Sequence, residues 1–151
     1  MKRYLAIDPG ANGGWAYHSG EAVFTGGNDE LLDATFPKDT IIVIENVPPF
    51  TGRIIPSSRS FKLGYSFGWV VGLFEGRGNK VILVTPQKWQ GFLNIGTKSD
   101  LRTLKMTPSK LNTAWKNKLA DEARKLFPTQ NVTLKNSDAF CLLWYAQANY
   151  L

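Results

Sequence analysis

Apolar runs in this chain predict five strands. The first, at residues 3–8, stops at Pro9-Gly10, because proline cannot donate a hydrogen bond to a neighbouring strand. Residues 41–44, Ile-Ile-Val-Ile, form a β-branched run that is typical of a strand buried on both faces. The five predicted strands cover residues 3–8, 15–18, 21–25, 41–44 and 81–84.

Apolar residues at helical spacing predict five helices. Leu111, Trp115 and Leu119 share one helix face, and Ser137 is a suitable N-cap for the last helix. The predicted helices cover residues 28–35, 59–75, 86–92, 111–126 and 137–149. The order β-β-β-α-β-α-β-α-α-α predicts a single α/β domain over residues 1–151, with a mixed five-stranded sheet flanked by helices.

Three glycines interrupt the predicted helix 59–75. Gly64, Gly68 and Gly72 recur at every fourth position, and each interior glycine costs about 1 kcal/mol relative to alanine. We expect this face to allow another backbone to approach closely, either a packed helix or strand or a nucleic acid.

Composition limits the class of protein. No apolar run approaches the roughly 20 residues needed to cross a bilayer, and Asp8 interrupts the N-terminal apolar stretch, so we expect neither a membrane span nor a secretory signal. Cys141 is the sole cysteine and cannot form an internal disulfide, which suits a reducing compartment. We therefore expect a cytoplasmic protein.

Positive charge is concentrated in the middle of the chain. The net charge is +6, but residues 53–135 carry +11, whereas residues 1–52 carry −4 and residues 136–151 carry −1. A positive surface beside a few carboxylates is what a metal-dependent nuclease needs, because phosphates are attracted while the acids hold cations. The alternative is a solvated surface without a polyanionic partner.

Three acids stand at positions that favour a functional site. Asp8 and Glu45 each end a predicted strand, and Asp138 lies in the first turn of the last helix. If the two strands are parallel neighbours, both strand-end acids meet at one sheet edge. Carboxylate oxygens suit Mg²⁺ or Mn²⁺, and two such ions about 3.5–4 Å apart can promote phosphodiester cleavage. Alternatively, Asp8 forms a turn and Asp138 interacts only with the helix dipole.

These motifs, in this order, resemble the RuvC-type Holliday-junction resolvases of the RNase H-like superfamily, and in particular their phage-like members. The resemblance covers nearly the whole chain. It implies an RNase H-like fold and a homodimer that resolves four-way DNA junctions by paired nicks in recombination and repair, with two Mg²⁺ or Mn²⁺ ions and a bacterial or phage origin. The matching segments are Ala6-Ile7-Asp8-Pro9-Gly10, Gly13-Gly14-Trp15-Ala16, Val43-Ile44-Glu45-Asn46-Val47, Lys62-Leu63-Gly64 with Gly68, Val84-Thr85-Pro86-Gln87-Lys88-Trp89, Ala123-Arg124-Lys125-Leu126-Phe127-Pro128 and Ser137-Asp138-Ala139-Phe140.

The resemblance also implies roles for individual residues. Asp8, Glu45 and Asp138 would be the metal ligands, and Lys116 would assist catalysis beside the scissile phosphate. The sequence departs from the family at Lys135, where relatives often carry a further Asp or His. The expected DNA contacts, including Phe50 as a residue that stacks on an unpaired base, are Phe50, Arg53, Arg59, Lys62, Tyr65, Lys88 and Lys118.

Other classes of protein share parts of this pattern. A two-lobed sugar kinase or actin-like ATPase has a similar first motif, but 151 residues cannot supply two lobes. A YqgF-type RNA-processing nuclease and a catalytically inactive junction-binding relative remain as alternatives, and Lys135 keeps the second of these open. A further alternative is an α/β domain in which the three acids have only structural roles.

Overall fold

Five strands and four α-helices are present in a computed structural model that describes residues 1–46 and 55–150. The strands are β1 (Tyr4–Ile7), β2 (Gly14–His18), β3 (Val23–Gly27), β4 (Ile41–Glu45) and β5 (Lys80–Val84). The helices are α1 (Ser57–Gly76), α2 (Pro86–Phe92), α3 (Pro108–Leu126) and α4 (Ser137–Asn149).

The strands form one mixed sheet in the order β3-β2-β1-β4-β5. Strand β2 is antiparallel to both β1 and β3, whereas β4 is parallel to both β1 and β5. The predicted α/β class with a mixed five-stranded sheet is confirmed.

Two local predictions need correction. The predicted helix over 28–35 is instead a single 3-10 turn, Asn28–Glu30, because Leu31 is buried while Leu32 beside it is exposed, so this segment has no apolar stripe to pack. The N-cap of α4 is Asn136, with Ser137 as the first helical residue. The Asn136 side chain does not bond to the N–H groups of the first turn of α4; it accepts a 2.8 Å hydrogen bond from the Thr133 N–H.

The core has two layers, one on each face of the sheet. Ile7 and Ile44 belong to the layer that α1 covers through Val70 and Phe74. On the opposite face, α2, α3 and α4 pack over the alternate strand residues, among them Ala6 and Val43. This two-sided covering explains why β1 and β4 are continuous apolar runs.

Helix α1 projects most of its surface into solvent. Only Val70 and Phe74 are buried along its 20 residues. A Cβ added at Gly64, Gly68 or Gly72 would meet nothing within 4 Å among the described residues. The expected close approach of another backbone is therefore not made by any part of the chain that the structure describes.

None of the helices in residues 1–46 and 55–150 is long and apolar enough to cross a membrane.

Candidate active site

Strand register brings the first two acids together. Strands β1 and β4 are parallel, with Ile7 opposite Ile44. The next residues, Asp8 and Glu45, therefore leave neighbouring strands side by side at the carboxyl edge of the sheet. Because successive strand residues point to opposite faces, both acids fall on the face covered by α2, α3 and α4.

A tight turn after β1 holds Asp8 in place. The Asp8 N–H donates a 2.9 Å hydrogen bond to the Gly14 carbonyl. A side chain at Gly13 is excluded, because its Cβ would lie 2.0 Å from the Asp8 carbonyl oxygen, and Gly10 has a φ of 114° that favours glycine. The Asn28 amide donates to the carbonyls of Asp8 (2.7 Å) and Gly10 (2.9 Å), a clamp that sequence reasoning missed.

The third acid and a lysine reach the same place from two helices. Asp138 is the second residue of α4, where the positive end of the helix dipole favours a carboxylate. Lys116 extends from α3. Together with Asp8 and Glu45 they line a cleft of about 640 Å³. The other lining residues are Pro9, Gly10, Ala11, Asn12 and Gly13 of the turn and Arg59, Phe61, Lys62, Leu63, Tyr65 and Ser66 of α1.

Burial in the cleft raises the pKa of all three acids. For Asp8, burial raises the pKa well above its usual value, and the charges of Glu45 and Asp138 raise it further. Burial and the charge of Asp138 raise the pKa of Glu45 to about 7. Burial also raises the pKa of Asp138. Lys116 opposes each of these pKa shifts, so a cation in the cleft stabilises the ionised acids.

Trp89 is a residue of this site that the sequence analysis did not single out for a role. It lies on α2 and is fully buried, and its Nε1 donates a 2.8 Å hydrogen bond to Oε2 of Glu45. This bond favours the charged carboxylate and opposes the rise in the pKa of Glu45. The position of Trp89 just after a strand and a proline was visible in the sequence, but its partner was not.

The five predicted DNA contacts that lie within the described residues divide into two groups. Arg59, Lys62 and Tyr65 line the cleft with the acids, whereas Lys88 and Lys118 are absent from its lining. Lys88 is exposed on α2, and Lys118 interacts with Asp100. The other two predicted contacts, Phe50 and Arg53, lie outside the described residues.

Lys135, the position of the family's further ligand, does not line the cleft. Its Nζ lies 3.4 Å from the point that a Cβ on Gly27 would occupy, at the end of β3. None of the shifts in the pKa of Asp8, Glu45 or Asp138 has Lys135 as a cause. Lys135 therefore does not add a positive charge to the cleft that holds the three carboxylates.

The donor set fits a hard cation held jointly with substrate. No group of three or more His, Cys, Asp or Glu side chains in residues 1–46 and 55–150 is arranged to hold a metal ion by itself. Asp8, Glu45 and Asp138 thus do not form a closed protein cage. Mg²⁺ rarely uses such a cage, because it binds through one or two carboxylates together with water and substrate phosphates. The open, crowded carboxylates match that mode of binding.

Comparison with known proteins agrees with the fold. No protein-family model matches the chain, and neither does any curated protein sequence. T. thermophilus RuvC in complex with a Holliday junction substrate aligns with 99% of this chain and 97% of its own, with a TM-score of 0.57 and 14% identity. A second Thermus thermophilus RuvC structure aligns with 97% of this chain and 96% of its own, with a TM-score of 0.53 and 14% identity. The chain therefore has the RuvC-type, RNase H-like fold.

Proposed function

We propose that this protein is a metal-dependent endonuclease that resolves four-way DNA junctions by paired phosphodiester nicks. The observation that carries the proposal is the convergence of Asp8, Glu45, Asp138 and Lys116 in one cleft. Each comes from a different element, so local sequence preferences alone do not explain their meeting. The similar structure bound to a Holliday junction supports DNA as the substrate.

Each group in the cleft has a distinct role in this proposal. Asp8, Glu45 and Asp138 would hold Mg²⁺ or Mn²⁺, two ions in the full site. The ions would neutralise phosphate charge and lower the pKa of water. Lys116 supplies a fixed positive charge for the phosphate oxygens as negative charge develops on them. Trp89 orients Glu45 through its hydrogen bond.

The basic residues of α1 would hold the DNA backbone. Arg59 and Lys62 are exposed and line the same cleft as the three acids. Contacts to phosphates fix register and orientation without reading sequence. We therefore propose recognition of the branched shape of DNA more than of its bases.

Paired nicks require two clefts, so we propose a homodimer. We propose the outer face of α1 as the contact with a second copy, because no described residue covers Gly64, Gly68 and Gly72. Two such helices can approach closely, since glycine keeps side chains out of the contact. The dimer would embrace one junction.

The direct test is cleavage of a synthetic four-way junction beside a linear duplex of the same sequence. We expect nicking of the junction with Mg²⁺ or Mn²⁺, none with EDTA, and none by Glu45→Gln. Junction binding without metal-dependent nicking would refute the nuclease and favour the inactive relative. Preferential cleavage of structured RNA would favour the RNA-processing alternative instead.

A further inference from the structure

A second cavity, of about 310 Å³, opens beside the carboxylate cleft, between α1 and the turn that follows β1. Tyr65 and Ser66 line both cavities, as do Gly10 and Ala11. The two spaces are therefore neighbouring compartments with a common wall. The size of the second is at the lower end of the roughly 300–1,000 Å³ typical of sites for small ligands.

The walls of this second cavity suit a flat ring. Trp69 on α1 and Leu32 after the 3-10 turn both line it, and Val70 supplies further apolar surface. Trp69 is 37% exposed and Leu32 is 57% exposed, although both are large apolar side chains. An exposed tryptophan in a concave apolar site favours stacking with an aromatic ligand. We call this cavity the Trp69 pocket.

One polar group at the wall lacks a partner. Both amide hydrogens of Asn28 are used on the carbonyls of Asp8 and Gly10. Its buried Oδ1 has no hydrogen-bond partner among the described residues. A buried acceptor of this kind is costly to leave unpaired, so the wall of the pocket beside Asn28 is polar as well as apolar.

We propose that the Trp69 pocket receives one unpaired nucleobase of a DNA strand whose phosphates lie in the carboxylate cleft; this rests on the proposed function. A nucleobase has a flat π-face that can stack on Trp69. It is also attached to phosphates, which the adjoining Arg59 and Lys62 attract. The shared wall at Tyr65 allows a base to enter the pocket while its own backbone stays beside the acids.

The neighbouring aromatic residues continue this path. Phe61 and Tyr65 are 73% and 67% exposed, and their rings stack with centroids 6.3 Å apart. Phe61, Tyr65 and Trp69 recur at every fourth position of α1. Aromatic platforms beside a basic groove are the usual means of holding unpaired bases without strict sequence preference.

The test compares two DNA duplexes that differ in one base. The first carries a single bulged adenosine, and the second has an abasic residue at the same bulge. Fluorescence anisotropy in EDTA measures binding without cleavage. We expect the native protein to bind the bulged adenosine about tenfold more tightly than the abasic residue, as is typical when one base stacks on an aromatic side chain. Trp69→Leu should reduce this ratio to near one while leaving affinity for the abasic duplex unchanged.

Matched variants separate the pocket from general effects. Trp144→Leu removes a tryptophan of similar exposure, 41%, from α4 and should keep the native ratio. Leu32→Ser alters the other wall and should lower the ratio as Trp69→Leu does. Equal binding of both duplexes by the native protein would overturn the proposal. So would an equal loss of affinity for both duplexes in Trp69→Leu, or a change in its molar mass by light scattering, which would assign Trp69 to a protein contact.

Junction cleavage distinguishes this inference from the proposed function. Metal-dependent nicking without discrimination between the two bulged duplexes would refute the Trp69 pocket alone. Discrimination that depends on Trp69, without nicking, would support the pocket and refute the nuclease.

Discussion

The indole Nε1 of Trp89 donates a 2.8 Å hydrogen bond to Oε2 of Glu45. The two residues are 44 positions apart, and the indole is fully buried. One carboxylate oxygen of Glu45 is thus held from inside the core by a direct hydrogen bond. A hydrogen bond to a charged group typically contributes about 1.5–3 kcal/mol.

Trp89→Phe should therefore affect the site through Glu45. The lost bond should raise the pKa of Glu45 and reduce the rate of junction cleavage by about tenfold, equivalent to roughly 1.4 kcal/mol. The rate measured against pH should shift to higher pH. Trp15→Phe is the control, because it also removes a buried indole and its bond, here to the Gly27 carbonyl at 3.0 Å. An unchanged pH–rate profile in Trp89→Phe would contradict a positioning role.

Asp8→Asn should stabilise the fold while abolishing cleavage. Burial and two neighbouring carboxylates raise the pKa of Asp8, so its charge opposes folding near neutral pH. We expect the free energy of unfolding without metal at pH 8 to rise by about 1–2 kcal/mol, measured by urea denaturation. Asp39→Asn is the control, since it removes an exposed ion pair with Arg3 that contributes little. Destabilisation by Asp8→Asn would argue for a structural acid.

Stability without metal should decrease as the pH rises. The pKa of Glu45 is about 7 in the folded protein against an ordinary 4.5, so the folded state binds this proton more tightly than the unfolded chain. The stabilisation is complete below pH 4.5 and is lost as the pH passes through 7. Allowing for screening by water in the cleft, we expect a loss of about 1–2 kcal/mol between pH 5 and pH 8.

The pH effect has two internal checks. Glu45→Gln should reduce the pH dependence without abolishing it, because the pKa values of Asp8 and Asp138 are raised too, and Mg²⁺ should restore stability at pH 8 by binding the ionised acids. Stability that increases over this range in the native protein, with no change in Glu45→Gln, would contradict the predicted proton linkage.

Lys116→Met should impair cleavage far more than Lys118→Met. Lys116 opposes the rise in the pKa of all three acids and lines the cleft, so its loss removes positive charge from the proposed reaction centre. We expect a fall of about 10²-fold in rate, as for the loss of one stabilising group in other enzymes. Lys118, two residues away beside Asp100, should change the rate by no more than about twofold. Similar losses in both variants would refute the assignment.

Gly68→Glu should separate the proposed dimer without unfolding the chain. A Cβ at Gly68 meets nothing within 4 Å among the described residues, so the monomer accommodates the larger side chain. Light scattering should show a change from two chains to one, and the paired nicks should become uncoupled. Gly91→Glu is the control, because Gly91 is an equally open glycine on α2. A native protein that is monomeric would refute the dimer.

Sequence pattern alone predicted the three acids and the sheet that carries them. Asp8 and Glu45 can be recognised in the sequence because each follows an apolar run. A carboxylate at the end of a buried strand is costly without a partner, so its position alone indicates a site. The predicted helix over 28–35 was wrong because the sequence does not show which of the adjacent residues Leu31 and Leu32 is buried in the core. Local sequence patterns thus predict which residues of a strand are candidates for a functional site.

Only the tertiary structure decided which distant side chains complete the site. The family resemblance favoured Lys116 over Lys88 and Lys118, but only the packing of α3 against α4 shows that, of these three lysines, Lys116 is the one in the cleft. The bond from Trp89 to Glu45 likewise depends on α2 covering the same face of the sheet as the acids. Such contacts depend on the relative placement of whole elements, which no spacing along the chain encodes. The sequence was sufficient to identify the three candidate acids, whereas the tertiary structure was needed to show that Trp89 and Lys116 lie beside them.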